Sequence, residues 1–135
     1  MPTMTKTITV RTKSKMSMQD ITSEVKSFAE ASGMKTAEIT LFVPHTTAAI
    51  TINENADPDV QRDMITGLAD GFPDRADFKH MEGNSQAHIL SSVIGASETV
   101  LLKDGQFMLG TWQGIYFCEF DGPRTRKLHM RIRGE

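Results

Sequence analysis

The stretch Ile115-Tyr116-Phe117-Cys118-Glu119-Phe120 is apolar at nearly every position. A four-residue turn, Asp121-Gly122-Pro123-Arg124, separates it from Lys127–Arg133, where Leu128, Met130 and Ile132 alternate with His129, Arg131 and Arg133. A short, continuous apolar run reads as a strand covered on both faces, and strict alternation reads as a strand with one wet face. A chain that ends this way has to build a sheet around its own C-terminal third. His129 then points to solvent or to a neighbouring subunit.

The upstream chain supplies the other layers. Lys6–Thr12 alternates, with Ile8 and Val10 on one side, and Ala48–Asn53 does so with Ile50 and Ile52. Ala37–Val43 reads as a strand whose Leu41-Phe42-Val43 end is covered on both faces. Thr99–Leu102 and Gln106–Leu109 flank Lys103-Asp104-Gly105, and Asp-Gly is a strong hairpin signal. Three helices are expected. Ser17 caps the first, which runs to about Ser32 with Ile21, Val25, Phe28 and Ala29 inward and Gly33 as its stop. Asp57-Pro58 opens the second, with Val60, Met64 and Leu68 on one side. Asn84 opens the third, which ends at Gly95; Ala87, Ile89, Leu90, Val93 and Ile94 are read inward, and His88, Ser91 and Ser92 outward. About seven strands and three helices, with hairpin connections in the C-terminal half, argue for an α+β domain of mainly antiparallel sheets packed face to face.

The 135 residues suit one domain spanning 1–135. A net charge of −2 gives no global pull toward nucleic acid or an anionic membrane. No apolar run approaches the ~20 residues of a membrane span. The polar stretch from Met1 to Ser17 is unlike a signal peptide. Cys118 stands alone, which excludes an intramolecular disulfide and fits a reducing, cytoplasmic setting. It reads as a small buried hydrophobe rather than a nucleophile.

Chemistry concentrates in His80-Met81-Glu82-Gly83-Asn84-Ser85-Gln86-Ala87-His88. Two imidazoles and a carboxylate flank a helix start, where unpaired N–H groups and the helix dipole favour an anion. Pro44 interrupts the strand pattern and delivers His45 at the mouth of a buried strand. Histidines carried on loops by rigid elements are where binding and catalysis concentrate. His45, His80 and His88, if they converge, suit a zinc-type ion with an open position, although their spacing matches no tight metal motif. The alternative chemistry is general acid–base work by imidazole. Arg124, in a Gly-Pro turn, is a natural partner for phosphate or carboxylate. Trp112 could stack on a ring-shaped substrate or anchor a core or interface.

Pro44-His45-Thr46-Thr47-Ala48, Asn53-Glu54, Gly83-Asn84 with His88, Leu109-Gly110-Thr111-Trp112-Gln113 and Asp121-Gly122-Pro123-Arg124 occur in the order found in the YjbQ family. The chain resembles that family from about Thr7 to Arg133. The resemblance implies a β-sandwich with flanking helices, assembled as a homotrimer. It also implies a weak, secondary thiamine-phosphate synthase activity, which joins a pyrimidine methyl pyrophosphate to a thiazole phosphate. The site residues it implies are His45, Glu54, Asp57, His80, Asn84, His88, Trp112, Gln113 and Arg124. A divalent metal is expected with them, either Zn near the histidines or Mg held by Glu54 and Asp57 together with substrate phosphate. The same parts suit a metal-dependent hydrolase of a phosphorylated metabolite or a non-enzymatic binder of a small anionic metabolite.

Overall fold

The computed structural model describes residues 1–135. Eight strands and three helices follow one another as β1 (Thr3–Arg11), β2 (Ser17–Asp20), α1 (Thr22–Ser32), β3 (Ala37–Phe42), β4 (Ala48–Glu54), α2 (Pro58–Gly71), α3 (Ser85–Ile94), β5 (Ser97–Lys103), β6 (Gln106–Phe107), β7 (Gln113–Glu119) and β8 (Thr125–Gly134). They form two antiparallel sheets, one ordered β1-β8-β3-β5-β6 and one ordered β2-β7-β4. This is the expected α+β architecture of packed antiparallel sheets.

The alternating residues of the long strands explain the layering. Leu128, Met130 and Ile132 of β8 and Ile39 and Leu41 of β3 face Ile50, Ile115 and Phe117 of the smaller sheet in one core, which Val25, Phe28 and Ala29 of α1 help to close. β7 is central and buried from Gly114 to Glu119. Its second face carries Tyr116 and Cys118, which pack with Ala49 against Ala87 and Leu90 of α3. The outer face of the larger sheet is left to solvent, with Thr5, Lys127 and Arg131 exposed on it. No helix is long and apolar enough to cross a membrane.

Several expectations change. Residues 17–20 are a strand, not helix: they pair with Tyr116–Glu119 at the edge of the smaller sheet, and the helix begins only at Thr22. Tertiary pairing overrides the helical stripe that starts at Ile21. Phe42 is 47 % exposed rather than covered on both faces, because β3 keeps its alternation to its last residue. On α3 the inward stripe is Ala87, Leu90, Ser91 and Ile94, while Val93 faces out. Ser91 tolerates the interior because its hydroxyl donates to the Ala48 carbonyl at 2.6 Å. The second hairpin strand stops at Phe107 instead of reaching Leu109.

One crossing between the sheets carries charge into the interior. The chain leaves the smaller sheet at Glu119 and enters the larger one at Thr125. Both Glu119 and Arg126 are buried there, at 0 % and 4 % exposure.

Candidate functional site

β3 ends at Phe42, and Pro44, which lacks an N–H, cannot continue the ladder. His45 is thereby carried out beside the start of β8, and the Lys127 N–H donates to its Nε2 at 2.8 Å. A neutral imidazole that accepts at one nitrogen carries its proton on the other, so His45 presents Nδ1–H. Burial pushes the His45 pKa below its usual 6.5, and the Arg126 charge pushes it the same way, while Glu119 opposes them without prevailing. The ring is therefore neutral at neutral pH. Its protonated form is disfavoured in the folded state, so the stability at stake is present above pH 6.5 and declines as pH drops from there through the folded value. NMR titration is expected to place His45 below 6.5 with the proton on Nδ1; a midpoint at or above 6.5 would contradict this arrangement.

His45 opens onto a cavity of about 690 Å³. His80, Glu82, Asn84, His88, Arg124 and Arg126 also line it. The His80 and His88 rings meet edge to face, with centroids 5.4 Å apart. Asn84 caps α3 through its backbone oxygen, which accepts from the Ala87 and His88 N–H groups at 3.0 and 3.3 Å. Its side chain makes no cap hydrogen bond. Two carboxylates draw the amide away instead: Nδ2 donates to Glu82 Oε2 at 3.0 Å and to Asp121 Oδ2 at 2.8 Å, leaving Oδ1 buried without a partner. Arg124 is pinned by Asp121, donating from Nε to its carbonyl and from Nη2 to its carboxylate, both at 2.8 Å. Glu82 lies 3.8 Å from the same guanidinium.

Arg126 is the residue that sequence reasoning missed. Its Nε donates to Glu119 Oε1 at 2.8 Å, and its Nη2 donates to Glu119 Oε2 and to Thr47 Oγ1. Glu119 also accepts from the Thr12 hydroxyl at 2.7 Å and from the Asp121 N–H at 3.0 Å. Burial pushes the Glu119 carboxyl up, but the hydrogen bonds from Arg126, Thr12 and Asp121 outweigh it and hold the pKa below its usual value. Nη1 of Arg126 has no such partner, and the residue lines the cavity. The signal was available: the period-two inward pattern of Leu128, Met130 and Ile132 extends back to 126.

The other predicted residues sit elsewhere. Glu54 is the last residue of β4, paired with Gln113, six residues from Ala48 and so about 20 Å further along the strand. Its carbonyl accepts from Gln61 and Tyr116. Asp57 caps α2 by accepting the Asp59 N–H at 2.9 Å. Gln113 closes the turn after β6 by accepting the Gly110 N–H at 2.8 Å. Trp112 is 62 % exposed, which rules out a core role within the chain. Within one chain none of these four reaches the cavity.

The donor set does not fit a three-histidine ion. His45 spends its free lone pair on Lys127, and no three His, Cys, Asp or Glu side chains are grouped to hold a metal. Glu54 and Asp57 likewise lie outside the cavity in which a substrate phosphate was expected to share Mg²⁺ with them. What the cavity does offer, by its lining, is a neutral imidazole, a buried guanidinium and a second guanidinium, together with two further imidazoles and a carboxylate.

The chain's residues 6–135 match the family described as UPF0047 protein YjbQ-like. It is 48% identical to the UPF0047 protein YugU of Bacillus subtilis over 132 residues, covering 97% of this chain and 100% of that one. A YjbQ/UPF0047-family crystal structure from Clostridium acetobutylicum superposes with a TM-score of 0.92 at 48% identity, covering 95% of this chain and 99% of that one. A structure from Sulfolobus solfataricus, described as a YbjQ-like protein of unknown function, gives 0.94 at 32% identity and 99% coverage of both chains.

Proposed function

The chain belongs to the YjbQ-like UPF0047 family, and from that premise we propose that it is an enzyme whose cavity seats the phosphate of a small phosphorylated metabolite and assists its departure. The observation that carries this reading is that buried Arg126, whose Nη1 makes no hydrogen bond within the chain, lines the same cavity as the neutral His45 imidazole. Donors held rigidly in a partly dry site are strongest toward charge that develops during reaction. Arg126 is held in place by Glu119 and Thr47. Arg124 adds a second guanidinium on the same wall, with its Nη1 left over after Nε and Nη2 donate to Asp121.

Thiamine-phosphate synthesis is the reaction we assign to this arrangement. The thiazole nitrogen forms a bond to the pyrimidine methylene carbon, the carbon–oxygen bond to pyrophosphate breaks, and pyrophosphate leaves with the bonding electron pair. Arg126, Arg124 and the His45 N–H take up the charge that grows on the leaving oxygen, and His88, which lines the same cavity, gives a proton to the departing pyrophosphate. The expected homotrimer belongs to this reading, since Trp112 and Gln113 stand exposed for a neighbouring copy.

Hydrolysis is the second reading, supported by Glu82 lining the cavity together with His80 and His88, a set that can orient water. Thiamine rescue of a synthase-deficient strain tests the first. The gene is expected to rescue, and His88→Ala and Arg124→Ala to lose rescue while remaining folded. Rescue by both variants overturns the assignment of those residues. Release of inorganic phosphate from phenyl phosphate without any acceptor, together with failure to rescue, selects hydrolysis.

A further inference from the structure

We propose that the phosphate cavity continues into a second subsite on the outer face of the larger sheet, with Phe42 as the platform for a planar aromatic body attached to the phosphate. This deepens the phosphate reading of the cavity and rests on it.

Phe42 lines two hollows at once. One is the histidine–arginine cavity, and the other is a space of about 300 Å³ whose walls are Thr5, Thr40, Phe42, His129, Met130 and Arg131. The two hollows thus adjoin at Phe42. The ring is 47 % exposed at the end of a strand whose other outward residues are Glu38 and Thr40. A single exposed apolar residue is ordinary on a protein surface. This one differs in its polar neighbours, which are held. His129 pairs with Phe42 across β3 and β8, and its Nδ1 is 2.7 Å from the Thr7 hydroxyl. Arg131 Nε donates to the Thr5 hydroxyl at 3.0 Å. The aromatic floor is thus framed by side chains fixed along the sheet, which suits a flat ring carrying polar edges. Offset or edge-to-face stacking adds to the apolar area such a ring removes from water.

Calorimetric titration with two probes tests the subsite. Inorganic phosphate reports the Arg126–His45 cavity alone, and phenyl phosphate reports cavity and platform together. Phenyl phosphate is expected to bind about tenfold more tightly, the size of one aromatic contact together with its buried area. Phe42→Ala, a half-exposed substitution, is expected to abolish the difference in affinity between the two probes. Equal affinities in the parent protein overturn the subsite while leaving the phosphate cavity intact. A parallel loss of both probes in Phe42→Ala overturns it too, because Phe42 would then merely shape the cavity. Failure of inorganic phosphate to bind the parent removes the phosphate reading and the subsite with it.

Discussion

Glu119→Gln is expected to cost about 3–5 kcal/mol of folding stability, the range for removing one partner of a buried ion pair. The substitution keeps the size of the side chain but removes its charge and turns one acceptor oxygen into an NH2 donor facing the donors around it. Arg126, 4 % exposed, would keep its own charge with nothing opposite it. Domains of this kind are stable by roughly 5–15 kcal/mol in total, so the loss is a large share of the whole. Urea denaturation of parent and variant measures it directly, and a loss below about 1 kcal/mol would mean that the pair behaves like a surface contact. The same carboxylate predicts acid sensitivity. Its pKa is held below the usual 4.5, so its stabilisation is complete above that pH and is lost as pH falls through the lower folded value. Glu119→Gln should flatten that part of the stability profile.

The second large effect separates folding from binding. The double variant Glu119→Leu with Arg126→Met replaces the pair by apolar side chains of similar length. Such replacements are commonly near neutral, whereas breaking one side alone is not. The double variant should therefore be more stable than Glu119→Gln, although the Asp121 N–H and the Thr12 hydroxyl lose an acceptor. Its affinity for inorganic phosphate is nonetheless expected to fall about 10- to 100-fold, the worth of a charged hydrogen bond in a partly buried site. Calorimetry on the folded double variant reads this. Unchanged affinity would assign phosphate to Arg124 and the histidines without Arg126.

Much of this arrangement is legible in the chain before any coordinates. Asp57-Pro58 opens α2 as expected, and Asp104 and Gly105, both at positive φ, make the hairpin turn that Asp-Gly announces. Pro44 does place His45 at a strand mouth, and His45, His80, His88, Asn84 and Arg124 do share one cavity. Local rules carry these features, because each depends on residues a few positions apart. The features that are not legible depend on distant partners. Ser17–Asp20 has a capping serine and leads into a helical stripe, yet Tyr116–Glu119 claims it as a strand. Glu54 follows His45 closely in sequence, but an extended strand carries it to the far end of the sheet. Arg126 escapes notice because the clean alternation begins at Lys127, whereas β8 already starts at Thr125. One position in register is the difference between a wet arginine and a buried one.

The crossing from β7 to β8 puts a single ionic clamp where the two layers of the sandwich are joined by one short turn. A guest held by Arg126 is held by both layers at once. Ligand occupancy and resistance of the layers to prying apart are then the same free energy, read in two ways. A filled pocket should slow amide exchange in Ala48–Glu54 and Thr125–Gly134 together, so that the sandwich itself reports what the pocket contains.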